Sequence, residues 1–294
     1  KDEKKKMQNS SFLVIGHPIG HTMSPFIHQR LFSLRGKTAE YGVKDIPIMD
    51  AGAFAQLRPL RGFNVTIPHK TTVIPFLDRL DRKAEVFGSV NTVSNDGGVL
   101  TGYTTDGIGF LHAIEAEGAS VSGKVLMLGS GGAARVVAYE TALAGGELTI
   151  AARSPEKAEL LARDVRDAVP GSRIRCLPLS DLETQREEYD LAVNTTPVGM
   201  YPKTGVSVIP EEVISRCSAV FDAVYNPDQT EFIRLAEKCG KTAVRGMAML
   251  VWQAAAAHTI WDGSTYTAEE IDTICRDAVA DMERSFYAKK EGEE

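Results

Sequence analysis

The sequence predicts an α/β protein built from two domains. The chain has 294 residues, of which 43% are hydrophobic and 24% charged, so it has a globular composition and the length for two cores. Apolar segments of strand length alternate with helical patterns, which is typical of parallel βαβ units. A glycine-rich turn also joins one of the apolar segments to a helical one.

The first block of the chain begins with a short apolar strand, Phe12–Ile15, that ends at Gly16. A helix is predicted over Pro25–Leu34, with Ser24 as its N-cap and the proline at the first helical position. The further predicted strands of this block are Tyr41–Val43 and Phe63–Ile67. The block is therefore expected to form βα units around a parallel sheet.

A second block opens near Gly123 with the same alternation. Its predicted strands are Val125–Leu128, Leu148–Ala151, Leu191–Asn194 and Val220–Asp222. Its predicted helices are a segment that reaches Leu143, then Pro155–Val165 and Gln229–Cys239, and two more follow, Met247–Trp261 and Ala268–Tyr287. We predict one domain from residues 1–107 together with 244–294, and a second from residues 108–243.

The glycine turn of the second block reads LGSGGAAR over residues 128–135. Gly129 permits a tight turn, and Gly131 and Gly132 leave space where phosphates would approach the N-terminus of the following helix. The spacing differs from strict G-x-G-x-x-G, so Ala133 or Ala134 is expected to make the close packing contact. A plain strand-to-helix turn is the alternative, but this context favours a Rossmann-like, doubly wound dinucleotide-binding domain.

The residues after the next strand bear on the choice of dinucleotide. An acidic side chain there would accept hydrogen bonds from the adenine-side ribose of NAD. This chain has Arg153 and Ser154, a cation and a hydroxyl that suit a 2′-phosphate. Arg153 taken alone could be an ordinary surface arginine, but beside the glycine turn it predicts NADP as the cofactor.

A Pro-His-Lys triplet follows the Phe63–Ile67 strand, and Lys70 is the only full charge between residues 62 and 77. Most lysines of soluble proteins are solvated surface charges. Lys70 lies between two apolar segments and is therefore a candidate catalytic lysine. His69 could tune it electrostatically, although an exposed turn histidine is the expectation.

Composition narrows the class of partner. The net charge of −6 provides no basic stripe, which argues against nucleic acid and anionic membranes. No apolar segment is long enough to span a bilayer, and none of signal-peptide length follows the basic N-terminus. The four cysteines have neither zinc-site nor disulfide-framework spacing. We expect a cytoplasmic protein with a small-molecule substrate and charged ends, 1–6 and 288–294, that lack fixed structure.

A metal site is also not expected. His17 and His21 are four residues apart, a ligand spacing on a helix, but Pro18 and Gly20 lie between them.

Eight segments of the chain together resemble the shikimate dehydrogenase family. These segments are HTMSPFIH, GFNVTIPHK, GSVNTV, GYTTDGIGF, GSGGAAR, NTTPVGM, FDAVYNP and GMAMLVWQAAAAH. The resemblance covers nearly the whole chain between its ends. It implies NADPH-dependent, reversible reduction of 3-dehydroshikimate to shikimate, a step of aromatic amino-acid (chorismate) biosynthesis, with a substrate domain over 1–107 and 244–294 and an NADP domain over 108–243.

The resemblance also implies residue roles. Lys70 matches the catalytic lysine, and Asp106 matches its partner carboxylate. The matched substrate contacts are Thr22, Ser24, Asn64, Thr66, Asn91, Tyr225 and Gln253, with Asn64 in a supporting position. The matched cofactor contacts are Gly129, Ser130, Gly131, Gly132, Ala133, Ala152, Arg153, Ser154, Lys157, Ala223 and Gly246.

Three positions depart from the family pattern. Thr22 stands where a serine is usual, Ala152 where an asparagine is common, and Arg245 where an acidic residue is frequent. Two other functions stay open: a quinate/shikimate dehydrogenase that uses NAD or both cofactors, and a non-catalytic regulator that senses NADP or a pathway acid. Monomer and homodimer are both open.

Overall fold

The structure, a computed structural model, describes residues 11–20 and 22–287. The predictions made for the two charged ends and for His21 lie outside these residues. The chain divides into two compact units, the first formed by Lys1–Ile108 with Val251–Glu294 and the second by Gly109–Leu250. None of the helices in the described part is both long and apolar enough to cross a membrane.

In its described part, the first unit contains one six-stranded sheet in the order β2-β1-β3-β5-β6-β4. The strands are β1 (Phe12–Gly16), β2 (Tyr41–Asp45), β3 (Gly62–Val65), β4 (Arg79–Leu80), β5 (Thr92–Asp96) and β6 (Val99–Tyr103). The helices are α1 (Ser24–Leu34), α2 (Ala51–Ala55), α3 (His69–Thr72), α4 (Arg82–Phe87), α5 (Asp106–Ala116), α10 (Gly246–Asp262) and α11 (Ala268–Tyr287), of which α5 and α10 extend into the second unit.

The expectation of a purely parallel first sheet is wrong. β1 is parallel to β2 and β3, but β5 is antiparallel to both β3 and β6. The β5–β6 pair is antiparallel because the two-residue loop Gly97–Gly98 joins these strands, and both glycines have positive φ, 63° and 96°. Such a loop joins adjacent antiparallel strands, so the Asp-Gly-Gly sequence held a hairpin signal.

The prediction that Ser24 is the N-cap of α1 is also wrong. Met23 occupies the cap position without a side-chain cap bond, and Ser24 is the first helical residue. The Ser24 amide donates to Thr22 Oγ1 (3.2 Å), so the threonine satisfies this amide two residues ahead of the helix. The Ser24 hydroxyl is thereby left for other contacts.

The core of the first unit includes a buried pair of histidines. His28 Nδ1 lies 3.0 Å from His258 Nε2, and His258 Nδ1 lies 3.1 Å from the Tyr266 hydroxyl. Burial lowers the pKa of His28 well below its ordinary value and that of His258 to about 4, so both rings are neutral at pH 7. The Trp261 ring fills the space at Gly62, and its Nε1 donates to the Val93 carbonyl (2.9 Å).

The second unit, in which every residue is described, has a parallel sheet in the order β12-β11-β10-β7-β8-β9. The strands are β7 (Lys124–Leu128), β8 (Glu147–Ala152), β9 (Arg173–Pro178), β10 (Tyr189–Asn194), β11 (Cys217–Asp222) and β12 (Thr242–Val244), and the helices are α6 (Gly132–Leu143), α7 (Pro155–Ala168), α8 (Glu211–Ile214) and α9 (Glu231–Lys238).

Counted from β7, the strand order is 6-5-4-1-2-3, the doubly wound Rossmann order. The predicted fold class is therefore confirmed. The order reverses between β7 and β10, and in such sheets ligands bind beyond the carboxyl ends of the strands at this point.

Candidate active site

Lys70 and Asp106 form an ion pair in the first unit. Lys70 lies on the short helix α3, just after β3, and Asp106 is the first residue of α5, just after β6. The distance from Lys70 Nζ to Asp106 Oδ2 is 2.5 Å, and the side chains are 30% and 14% exposed. The ammonium is therefore partly accessible while its carboxylate partner is largely shielded, and the α5 N-terminus also favours the anion.

Asn91 supports the carboxylate of this pair. Its Nδ2 donates to Asp106 Oδ1 (2.9 Å), to Thr105 Oγ1 (3.0 Å) and to Gln253 Oε1 (3.3 Å). Its Oδ1 accepts from the Thr105 amide (2.7 Å). One carboxylate oxygen of Asp106 is thus held by Asn91 and the other by Lys70, which leaves the aspartate little freedom to rotate.

His69 is buried, so the expectation of an exposed turn histidine is wrong. Its Nε2 lies 2.5 Å from the Ile46 carbonyl, and its Nδ1 lies 3.3 Å from Thr72 Oγ1. Because a carbonyl only accepts, Nε2 carries the proton and Nδ1 accepts from the threonine hydroxyl. His69 therefore anchors the turn that carries Lys70 to the loop after β2.

Two further predicted substrate residues, Thr22 and Ser24, lie just before and at the start of α1. Thr22 Oγ1 donates to Ser24 Oγ (3.1 Å). Burial raises the pKa of Tyr41 well above its ordinary value, an effect that the neighbouring Ser24 hydroxyl opposes. Tyr41 in turn donates to Asn64 Oδ1 (2.6 Å).

Asn64 completes the connection, because its Nδ2 donates to the Asn91 carbonyl (3.2 Å) and to Thr92 Oγ1 (3.0 Å). A continuous hydrogen-bonded network thus runs from Tyr41 to the Lys70 ion pair, and the Thr22–Ser24 pair is separate from it. Its members are Tyr41, Asn64, Asn91, Thr92, Thr105, Gln253, Asp106 and Lys70.

Thr66 lies at the end of β3, where its amide donates to the Ile15 carbonyl (2.8 Å). A Cβ on Gly16 would come within 2.5 Å of Thr66 Cγ2, so glycine is what allows this close approach. Thr66 is half-buried and is not a member of the network.

Tyr41, Thr92 and Thr105 of this network were missed by sequence reasoning. Thr105 directly precedes Asp106, and the tyrosine sits at the start of a predicted strand. Nothing in the residue pattern distinguishes a strand tyrosine that packs in the core from one whose hydroxyl joins a polar network.

In the second unit, the glycine turn lies between β7 and α6. Gly129 has a φ of +105°, and a Cβ there would come within 2.9 Å of Thr195 Oγ1 and 2.8 Å of Thr196 Cγ2. Gly131 and Gly132 are exposed, and a Cβ on either would meet no atom within 4 Å. Ala134 is fully buried and makes the packing contact, whereas Ala133 is half-buried.

The turn fits a dinucleotide pyrophosphate. Gly131 is the N-cap residue of α6 and has no side chain, so no side-chain cap bond satisfies the first amides of this twelve-residue helix. Free amides and the helix dipole together favour a phosphate group there. Ser130, half-buried in the same turn, adds a hydroxyl.

The residues predicted to contact the adenine-side ribose follow β8. Ala152 is buried as the last strand residue, and Arg153 and Lys157 are exposed. The Ser154 hydroxyl donates to Glu156 Oε2 (3.1 Å). Arg153 makes no ion pair or hydrogen bond within the part of the chain that is described, so its guanidinium is available to a ligand.

Ala223 and Tyr225 follow β11, and Gly246 begins α10. The Ala223 amide donates to the Asn194 carbonyl (2.9 Å), and burial raises the pKa of the half-buried Tyr225. A Cβ on Gly246 would come within 2.8 Å of both the Asp222 and Val224 carbonyl oxygens, so only glycine fits there.

A buried carboxylate, Asp222, organises this end of the second sheet, and sequence reasoning did not single it out. It accepts hydrogen bonds from Asn194 Nδ2 (2.9 Å), the Val224 amide (3.0 Å) and Thr230 Oγ1 (2.6 Å). Burial raises the pKa of Asp222 to about 6, against the effect of these three donors. Asp222 therefore ties the loop after β10 to the loop after β11.

Within the described residues, which do not include His21, no group of three or more His, Cys, Asp and Glu side chains could hold a metal ion. His17 Nδ1 lies 2.6 Å from Asp45 Oδ1.

A doubly wound unit with an open glycine turn, and a unit with a lysine–carboxylate pair among hydroxyl and carboxamide groups, define a dinucleotide-dependent oxidoreductase. The family model described as the shikimate dehydrogenase substrate binding domain matches residues 14–93. A shikimate dehydrogenase (NADP(+)) of Moorella thermoacetica is 39% identical over 272 residues, 90% of this chain and 92% of that protein. The chain belongs to the shikimate dehydrogenase family.

Solved structures agree with this assignment. Shikimate 5-dehydrogenase of Thermus thermophilus, in complex with NADP(H) and shikimate, matches with a TM-score of 0.80 and 34% identity, covering 91% of this chain and 98% of that one. Quinate dehydrogenase of Corynebacterium glutamicum, in complex with NAD, matches with a TM-score of 0.83 and 26% identity, covering 92% and 98%.

Proposed function

We propose that the protein is an NADP-dependent shikimate dehydrogenase that reversibly reduces 3-dehydroshikimate to shikimate, a step of aromatic amino-acid biosynthesis. The observation that carries the proposal is the Lys70–Asp106 pair, held by Asn91 at one end of a network of hydroxyl and carboxamide groups. A substrate with a ring carboxylate and several hydroxyls needs such directional neutral partners. The four cysteines are all free thiols, which suits a cytoplasmic enzyme.

The chemistry follows from the charge that develops on the substrate. When the reduced cofactor is bound, it supplies a hydride to the carbonyl carbon of 3-dehydroshikimate. Lys70 donates a proton to the carbonyl oxygen as negative charge builds there, and Asp106 stabilises the ammonium before transfer. In the oxidative direction, the neutral amine of Lys70 accepts the proton of the shikimate hydroxyl that becomes the carbonyl, which restores the ammonium.

The other predicted residues bind and orient. The hydroxyls of Thr22 and Ser24 bind the substrate carboxylate, and Thr66, Asn91, Gln253 and Tyr225 contact the ring or its substituents. The glycine turn, residues 129–133, holds the pyrophosphate on the α6 N-terminus. Arg153, with Ser154 and Lys157, receives the 2′-phosphate. In this proposal the first unit is the substrate domain and the second the NADP domain.

The proposed function is tested by spectrophotometric assay of NADP reduction with shikimate. We expect turnover that needs both compounds and a lower kcat/KM when quinate replaces shikimate. A protein that binds NADP and shikimate but turns neither over would be a sensor on this scaffold. A protein that prefers quinate would be a quinate/shikimate enzyme. Either result overturns the proposal.

Cofactor preference gives the next prediction. We expect kcat/KM for NADP to exceed that for NAD by at least about tenfold, because one charge-assisted contact is worth roughly 1.5–3 kcal/mol. Arg153→Ala should erode the NADP value by a comparable factor and leave the NAD value almost unchanged. Arg163→Ala, which removes an exposed guanidinium from α7, is the matched control. Equal losses with the two cofactors would make Arg153 an ordinary surface charge.

Binding of the substrate carboxylate gives another prediction. Ser24→Ala removes a hydroxyl donor to a charged acceptor, so kcat/KM for shikimate should fall about 10- to 150-fold, with cofactor affinity unchanged. Ser33→Ala removes an exposed hydroxyl from the same helix and should have little effect. Thr22→Ser should be mild, and a constant shikimate-to-quinate ratio in this variant would show that the methyl group does not set acid preference.

A further inference from the structure

The segment between β11 and α9, residues 223–230, carries two of the predicted ligand contacts, Ala223 and Tyr225. Asp222 holds both of its ends, through the Val224 amide and the Thr230 hydroxyl. The Asn226 carbonyl accepts from the Tyr201 amide (2.9 Å). The remaining part of the segment, around Asp228, needs a partner from elsewhere if Tyr225 is to be fixed.

Arg245 supplies that partner. Its Nη1 lies 2.5 Å from Asp228 Oδ2, and its Nη2 lies 2.7 Å from Glu237 Oε1 on α9. The Asp228 side chain is only 15% exposed, whereas Glu237 is 37% exposed, so solvent screens the Asp228 pair less. The Arg245 guanidinium holds the pKa of Glu237 below its ordinary value.

Arg245 also lies directly before Gly246, the residue that packs against the Asp222 and Val224 carbonyl groups. The backbone at Arg245 is therefore set close to Val224, while its side chain reaches Asp228 in the same segment. An acidic residue at this position would repel Asp228 and Glu237.

We propose that Arg245 is a positioning residue, which holds the 223–230 segment so that Tyr225 and Ala223 meet substrate and cofactor. The proposal rests on the function proposed above. It gives a role to Arg245, a position at which this chain departs from the family pattern. The positive charge that pairs with Asp228 comes from this residue, directly after β12.

The test compares Arg245→Met, Arg245→Lys, Asp228→Asn and the Arg245→Met/Asp228→Asn double variant, with Glu237→Gln as the matched control. We expect kcat/KM for shikimate to fall roughly tenfold, mainly through KM, in Arg245→Met and in Asp228→Asn. The double variant should lose no more than either single one. Arg245→Lys should recover part of the loss, Glu237→Gln should stay within about threefold, and the NADP-to-NAD ratio should not change.

A second readout is independent of activity. Backbone hydrogen exchange over residues 223–229 should be faster in Arg245→Met and Asp228→Asn than in the wild type, whereas exchange in β7 and β8 should be the same. A lower melting temperature with unchanged KM and unchanged local exchange would mean that Arg245 only stabilises the fold, which overturns the proposal. If Arg245→Met does not fold, Asp228→Asn decides by the same criteria.

Failure of the proposed function looks different. A wild type that does not reduce NADP with shikimate overturns the function alone, and the exchange measurement still decides whether Arg245 holds the segment. An active wild type with variants that match it in both readouts overturns the positioning role alone.

Discussion

Replacing Lys70 by alanine should lower kcat for shikimate oxidation by roughly 10²–10⁴-fold while KM for shikimate stays within a few-fold. In the proposed mechanism the lysine acts on a proton that moves in the transition state, so its loss should affect the chemical step more than ground-state binding. Steady-state kinetics, with a deuterium isotope effect to establish that hydride transfer limits the rate, make the measurement.

Two companion variants sharpen this test. Asp106→Asn should also lower kcat, and the double variant should lose much less than the sum of the two free-energy changes, because the residues act as one unit. Lys44→Ala is the control, since its ammonium also makes a short hydrogen bond in the same unit, to Gln56 Oε1 (2.6 Å). Near-full kcat in Lys70→Ala, with hydride transfer rate-limiting, would exclude Lys70 as the proton donor.

The second large effect concerns stability. Asp222→Ala leaves three buried donors, on Asn194, Val224 and Thr230, without their common acceptor, so the free energy of unfolding should fall by about 3–5 kcal/mol. Urea denaturation of the two proteins measures the difference. A loss below about 1 kcal/mol, on the order of one ordinary hydrogen bond, would contradict the organising role given to Asp222.

Asp222→Asn separates the shape of this side chain from its charge. Burial raises the pKa of Asp222 from 3.8 to about 6, so the folded state binds the proton more tightly than the unfolded state. The stability from this proton is present below pH 3.8 and is lost as pH rises through about 6. As pH falls from 8 to 5, the free energy of unfolding of the wild type should rise by about 1–1.5 kcal/mol relative to that of Asp222→Asn. A difference in unfolding free energy that does not change with pH would contradict the raised pKa of Asp222.

Most elements of the fold were predictable because their signals are local. The bounds of α11 are as predicted, β1 extends one residue beyond the predicted Ile15, and α6 ends at Leu143 as predicted but begins inside the glycine turn, at Gly132. β9 was missed because its side chains alternate between exposed and half-buried, as at the edge of a sheet, and give no continuous apolar segment. The mixed first sheet was not predicted, although the Gly97–Gly98 sequence is a signal for the hairpin that joins β5 to β6.

The site was less predictable, since its residues are far apart in sequence. Lys70 and Asp106 are separated by 36 positions, and no periodicity shows that the strand ends that carry them converge. Their pairing was an implication of the family resemblance. His69 shows the same limit, because its acceptor is the Ile46 carbonyl, a backbone atom of another loop that leaves no mark in the sequence.

The make-up of the first unit has a consequence for the order in which the enzyme can be completed on the ribosome. Residues 109–250 form the second unit without interruption, so all of its chain is available before the final segment is synthesised. The first unit needs residues 251 onward, which supply Gln253 to the polar network, His258 to the core and the Trp261 ring over Gly62. Until α10 emerges, Gly62 on β3 and the Val93 carbonyl on β5 lack the Trp261 ring. The first unit, with its polar network, can therefore be completed only after the whole of the second unit has been synthesised.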